Sequence, residues 1–177
     1  AADLTGALDG NVTASGEELN FKKASLQGLV CKAVAVVNKI PPITGLPTTT
    51  PITDLSLEVD FEEGTGDIER LRFATPGIVM EGSGDFDLKT MDFGFRMEGQ
   101  VNNEITKVSP LCVIDQRYAG VDWPVECGGN LTSEAGASCK VDLASIAEQI
   151  LKNEAKQQLQ DAVEEKAGSL IKKLFGG

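Results

Sequence analysis

No histidine occurs in this 177-residue chain, and tryptophan and tyrosine occur once each, at Trp123 and Tyr118. Without an imidazole the commonest general base is missing, so Ser-His or Cys-His nucleophilic catalysis cannot be assembled within it. Aromatic residues amount to 5%, which leaves little material for the stacking platform that a carbohydrate-active site would need. Cations are scarce as well: 16 Lys and Arg stand against 27 Asp and Glu, a formal net charge of −11. Nucleic-acid binding relies on clustered Lys and Arg, so no nucleic acid is expected as a partner. Long apolar runs are absent too. The longest, Leu29 to Val37, is interrupted by Lys32 and falls far below the ~20 residues that cross a bilayer as a helix. No signal-peptide pattern precedes the first strand-like residues, since Ala1-Ala2-Asp3 leads straight into them. The abrupt start suggests a fragment of something longer, its targeting segment removed.

Close cysteine pairs of the C-x₂-C kind are also missing, which argues against a zinc site. Four cysteines are present, Cys31, Cys112, Cys127 and Cys139, and four allow three pairings. Cys127 and Cys139 flank a loop containing Gly128, Gly129 and Gly136, a natural place for a staple worth roughly 3 kcal/mol on chain-entropy grounds. Cys31–Cys112 then follows by elimination. Disulfides imply an oxidising compartment such as the periplasm.

What the chain does contain is alternation. Apolar residues make up 41% and charged residues 24%, the balance of one folded domain spanning 1–177. Leu55, Leu57, Val59 and Phe61 share one parity, with Asp54, Ser56, Glu58 and Asp60 between them. Leu71 and Phe73 carry the stripe through a strand at 68–74, and Met91, Phe93, Phe95, Met97 and Val101 repeat it. Side chains on a strand point alternately to opposite faces, so each segment has a greasy face and a charged one. Antiparallel sheets can give one face to a core or ligand and the other to water. Function is expected on whatever meets the greasy face.

The remaining segments fill in an α+β domain with a curved antiparallel sheet of about seven to nine strands. Leu4, Gly6, Leu8, Gly10, Val12 and Ala14 alternate as a first strand, and a second is expected at 19–26. A short helix over Leu29 to Ile40 is ended by Pro41-Pro42, and 41–53, with four prolines and a Thr triplet, reads as a loop. The sheet proper is assigned to 54–131. Its strands include a hairpin joined by 62–67, short strands at 78–80 and 85–88 around Gly82 and Gly84, and further strands at 110–117 and 123–131. The glycine pairs are expected to mark bulges or bends. From 142 to 175, apolar residues recur at steps of three and four with Lys and Glu opposite, an amphipathic helix expected to cover one sheet face.

Nothing along the chain assembles into a catalytic site. The pairs Glu62/Glu63, Asp85/Asp87 and Glu164/Glu165 read as solvated faces, because acid–base work needs two carboxyls held in different environments. Residues 62–67 lack the oxygen-ligand spacing of a calcium loop, and Gly82-Ser83-Gly84 is too short for a dinucleotide fingerprint. No catalytic residue, metal or cofactor is expected, and the chain is read as a non-enzyme.

Taken in order, several segments resemble the C-terminal domains of the AsmA family. They are Leu26-Gln27-Gly28-Leu29, Thr53-Asp54-Leu55, the stretch from Asp67 to Phe95, and Trp123 to Leu131. The closing Cys139 to Asp142, leading into a Lys/Glu/Gln-rich helix, completes the series. The most specific block runs from Thr75-Pro76 through Gly82, Gly84, Asp87 and Leu88. The resemblance covers nearly the whole chain, each motif being moderately specific and their order carrying the weight. It implies a periplasmic module, tethered to the inner membrane through a missing N-terminal helix, whose apolar β-groove lets phospholipid acyl chains pass between the two membranes and supports outer-membrane biogenesis. Partners would be acyl chains, other envelope proteins, or the rest of the parent chain. The alternative is a protein-interaction scaffold for outer-membrane assembly with no lipid bound. The residues in question are the stripe of Leu55, Leu57, Val59, Phe61, Leu71, Phe73, Met91, Phe93, Phe95 and Met97, as lipid path or as core.

Overall fold

A computed structural model describes residues 8–22, 25–133 and 136–175. Among these residues nine strands form: β1 (Gly10–Gly16), β2 (Leu19–Phe21), β3 (Thr50–Ile52), β4 (Asp54–Glu62), β5 (Thr65–Thr75), β6 (Ile78–Asp87), β7 (Asp92–Val101), β8 (Val125–Asn130) and β9 (Ala137–Val141). Two α-helices accompany them, α1 (Leu26–Val37) and α2 (Leu143–Phe175). Seven strands make one open antiparallel sheet in the order β1-β4-β5-β6-β7-β8-β9, and β2 pairs with β3 in a small second sheet. The architecture is α+β. The first half of the expected N-terminal strand, through Leu4 and Gly6, lies outside the described residues.

Local chemistry sets the connections. The β4–β5 hairpin is tighter than the expected 62–67 link. It turns on Glu63 and Gly64 alone, at φ 51° and 81°, and a two-residue turn with both φ values positive matches the twist of the flanking strands. Between β5 and β6, Pro76 supplies a fixed φ and Gly77 the positive one, 83°. On β5 the pairing with β4 passes from Arg70 opposite Glu58 to Ile68 opposite Val59, so one extra residue is accommodated. The side chains of Glu69 and Arg70 are both exposed, and Ile68 and Leu71 both turn inward. This bulge bends the sheet.

The bend was expected at Gly82 and Gly84. Instead, those glycines lie inside one continuous strand, β6, in unbroken register with β7. They face inward, Gly82 opposite Met97 and Gly84 opposite Phe95. A Cβ on Gly82 would come 2.8 Å from the Met97 Cα, and one on Gly84 would come 2.8 Å from the Phe95 ring. Their role is close approach, letting large side chains of β7 lie across β6.

Three other expectations are corrected. α1 begins at Leu26, three positions before the expected start, because Ser25 takes the N-cap and its hydroxyl accepts from the Gly28 N–H at 2.9 Å. The segment read as a loop, 41–53, contains β3, which pairs with β2, while β1 pairs with β4. No strand forms at 110–117. There the chain runs irregularly through single-turn 3₁₀ helices at Asn103–Lys107 and Gln116–Tyr118, and its apolar residues (Ile105, Cys112, Ile114, Tyr118, Val121, Trp123) are buried under the sheet.

The cysteines pair as Cys31–Cys112 and Cys127–Cys139. The first ties α1 to the irregular segment, and the second links directly opposed residues of β8 and β9. Asn38, just past α1, accepts from the Tyr118 hydroxyl at 2.8 Å and from Arg117 at 3.2 Å. Arg117 also grips Asp115 through two side-chain nitrogens and sits 3.6 Å from Glu154 of α2. Those hydrogen bonds hold the Asp115 carboxyl below its ordinary value, while burial pushes the Tyr118 phenol up.

α2 does not cover the sheet. Ile146 and Ile150 are buried, but Leu151, Leu159 and Val163 are 60–69% exposed. Among the described side chains of α2, those buried in the core lie in its first turns. The layer over the inner sheet face is α1 with the 43–52 segment and the irregular segment that buries Ile105, Cys112, Tyr118 and Trp123.

Candidate functional site: an apolar cavity between sheet and helix

The inner face can be read row by row across the strands. One row is Leu57, Leu71, Gly82, Met97 and Val125, and the next is Val59, Ile68, Gly84, Phe95 and Cys127. Each row mixes large side chains with a glycine, so the surface has depth where the glycines lie. Toward the β5–β6 turn the face is filled. Ile78, Met80, Val101 and Trp123 are 0–7% exposed there, packed with Val30, Val34 and the Cys31–Cys112 bridge. Toward the other end α1 and the sheet do not meet, and a cavity of about 730 Å³ opens between them.

Its floor is the sheet: Leu55, Leu57, Ile68, Leu71, Phe73, Phe93, Phe95 and Met97, with the Cys127–Cys139 bridge at one side. Phe93 and Phe95 face each other with ring centroids 5.2 Å apart. Its roof is Leu26, Gly28, Leu29 and Lys32 of α1, and Phe21, Ile43, Leu46 and Ile52 close the flank. The roof is held in place by main-chain bonding: the Leu26 N–H donates to the Thr50 hydroxyl at 2.8 Å, and Gln27 donates to the Pro76 carbonyl at 3.0 Å. A cavity of this volume, walled almost wholly by aliphatic and aromatic carbon, is of the size and character that takes small apolar ligands.

Seven of the ten stripe residues named from the sequence therefore line one cavity: Leu55, Leu57, Leu71, Phe73, Phe93, Phe95 and Met97. Three do not. Val59 is buried at 5% exposure beside the cavity without lining it. Phe61 is half-buried, its ring lying over Gly66. Met91 precedes β7 in a left-handed turn, at φ 63°, and so leaves the strand parity that the alternation suggested. Cys127 and Cys139 line the cavity, whereas Cys31 and Cys112 are fully buried in the filled half.

The roof was missed by sequence reasoning. Its signal was faint: Leu29 sits four positions after Ser25 and three before Lys32, a single helical stripe, and Ile43, Leu46 and Ile52 carry no strand or helix period. The outer face is charged, as alternation requires. There Arg72 bridges Asp54 and Glu81, and Arg70 meets Glu58. Among the described residues no helix is long and apolar enough to cross a membrane. Two disulfides indicate an oxidising compartment, periplasmic or extracellular. The chain matches no family model, no curated protein and no solved structure.

Proposed function

We propose that this chain is a non-enzymatic lipid-groove module that receives phospholipid acyl chains in the cavity between α1 and the inner sheet face. The observation that carries this reading is the cavity itself, apolar on floor and roof and about 730 Å³ in volume. A cavity of this size lies in the range that takes small apolar ligands and has room for an acyl chain. Acyl chains are held by non-directional apolar contact, and Met97 adds an adaptable wall for tails of differing length. In this reading the periplasm is the oxidising compartment, and a tether to the inner membrane belongs to the parent chain. The resemblance to AsmA-family C-terminal domains, on the residues quoted above, supports passage of phospholipid between the membranes as the setting.

The test is native mass spectrometry, with lipid extraction, on protein purified from a diderm bacterial host. Copurifying phospholipid that is lost in Phe95→Glu and Leu57→Glu, with both variants folded, is the expected result. Absence of lipid from the unaltered protein, with those variants unfolded, would overturn it. A second reading, a protein-interaction scaffold for outer-membrane assembly, draws on a different observation. Leu151, Leu159 and Val163 are exposed along α2, a helix of 33 residues.

A further inference from the structure

Among the described residues that line the cavity, Lys32 is the one charged side chain. It belongs to the roof stripe of α1, one turn beyond Leu29, and it is exposed where the cavity meets water. The other polar side chains at the wall are Ser25, Thr48 and Thr50, and two of these have their hydroxyls engaged by the backbone. Ser25 accepts from Gly28 and Thr50 from Leu26. Lys32 forms no ion pair among the described residues, although 27 carboxylate side chains give this chain ample anions. A lysine stem lies along apolar surface while its ammonium stays in water, so one side chain can touch both an acyl chain and its head.

From this placement we infer that the cavity selects amphiphiles with a negatively charged head, whose acyl chain enters between α1 and the sheet while Lys32 holds the head at the mouth. The inference rests on the lipid reading above and narrows its substrate class to anionic over net-neutral phospholipid. A phosphodiester and a fatty-acid carboxylate share the required chemistry, a monoanion on one acyl chain. An acidic protein otherwise repels such heads. A single cation at the mouth gives them a defined point of approach, and the attraction weakens as salt screens it.

The test measures direct binding of palmitoyl lysophosphatidylglycerol, palmitoyl lysophosphatidylcholine and palmitate, each below its micelle threshold, at low and high salt. The unaltered protein should prefer lysophosphatidylglycerol to lysophosphatidylcholine by about three- to fivefold at low salt, the scale of one exposed charge pair. That ratio should fall to about one in Lys32→Ala, invert in Lys32→Glu, persist in Lys32→Arg, and shrink at high salt. Palmitate binding that follows the same order across the variants would mean that the charge alone is read. Palmitate binding that ignores Lys32 would mean that the phosphodiester is recognised. A ratio near one in the unaltered protein, or one unchanged in Lys32→Ala and Lys32→Glu, overturns the inference and leaves the lipid cavity standing. Failure of all three ligands to bind the unaltered protein overturns both.

Discussion

Alanine at Met80 and at Leu57 separates the filled half of the inner face from the open half. Met80 is fully buried, its thioether packed over Gly99, and truncating such a side chain costs about 2–5 kcal/mol, because transfer and cavity terms add. Leu57 occupies the same face two strands away, half-buried, with the cavity on its inner side. Its truncation removes three carbons at ~0.8 kcal/mol each, and half-exposure reduces that to about 1 kcal/mol. No new cavity term arises where space is already open. The two variants should therefore differ by about 1–4 kcal/mol, or by roughly 2–16 °C in melting temperature for a chain of this size. Urea unfolding with an unchanged slope gives the cleanest comparison. Equal losses for the two variants would mean that the cavity is packed shut in solution, and the site described here would not exist.

Removing the bridges should cost unequal amounts. Cys31–Cys112 closes a separation of 81 residues and Cys127–Cys139 one of 12, so chain entropy gives about 4.5 and 3 kcal/mol respectively. Paired Cys→Ser variants compared in urea check the order. Gly82→Val should destabilise by roughly 2 kcal/mol or more, since its Cβ would sit 2.8 Å from the Met97 Cα, and calorimetry reads the loss. Asp115 is held below its ordinary 3.8 by the Arg117 hydrogen bonds. Its contribution is therefore complete above that value and is lost as pH falls through the lower folded value. Urea midpoints followed from neutral to acid pH should show a shallower acid limb in Asp115→Asn than in the unaltered protein.

Sheet and stripe were legible in the sequence because alternation is a local signal. β4, β5 and β7 follow from residues two apart, and seven stripe residues meet in one cavity for the same reason. What escaped depended on tertiary context. The bulge at Glu69 and Arg70 is marked by no glycine or proline. Gly82 and Gly84 look like strand breakers until Met97 and Phe95 are seen lying across them. β3 is three residues long, too short to show a period, and its partner β2 keeps only Leu19–Phe21 of the strand expected at 19–26. The 102–124 segment buries its apolar residues without regular structure, so no period announces it. α2 carries a helical spacing that suggests a partner, yet the sheet's partner is α1, whose apolar residues continue nearly all round and disclose no single face.

The most direct test of the lipid cavity is photo-crosslinking with a phospholipid carrying a diazirine on its acyl chain, mapped by peptide mass. Crosslinks concentrated on Leu57, Phe95 and Met97 of the floor and Leu29 of the roof are the predicted result. Crosslinks confined to the exposed Leu159 and Val163 of α2, with the floor unlabelled, would contradict it.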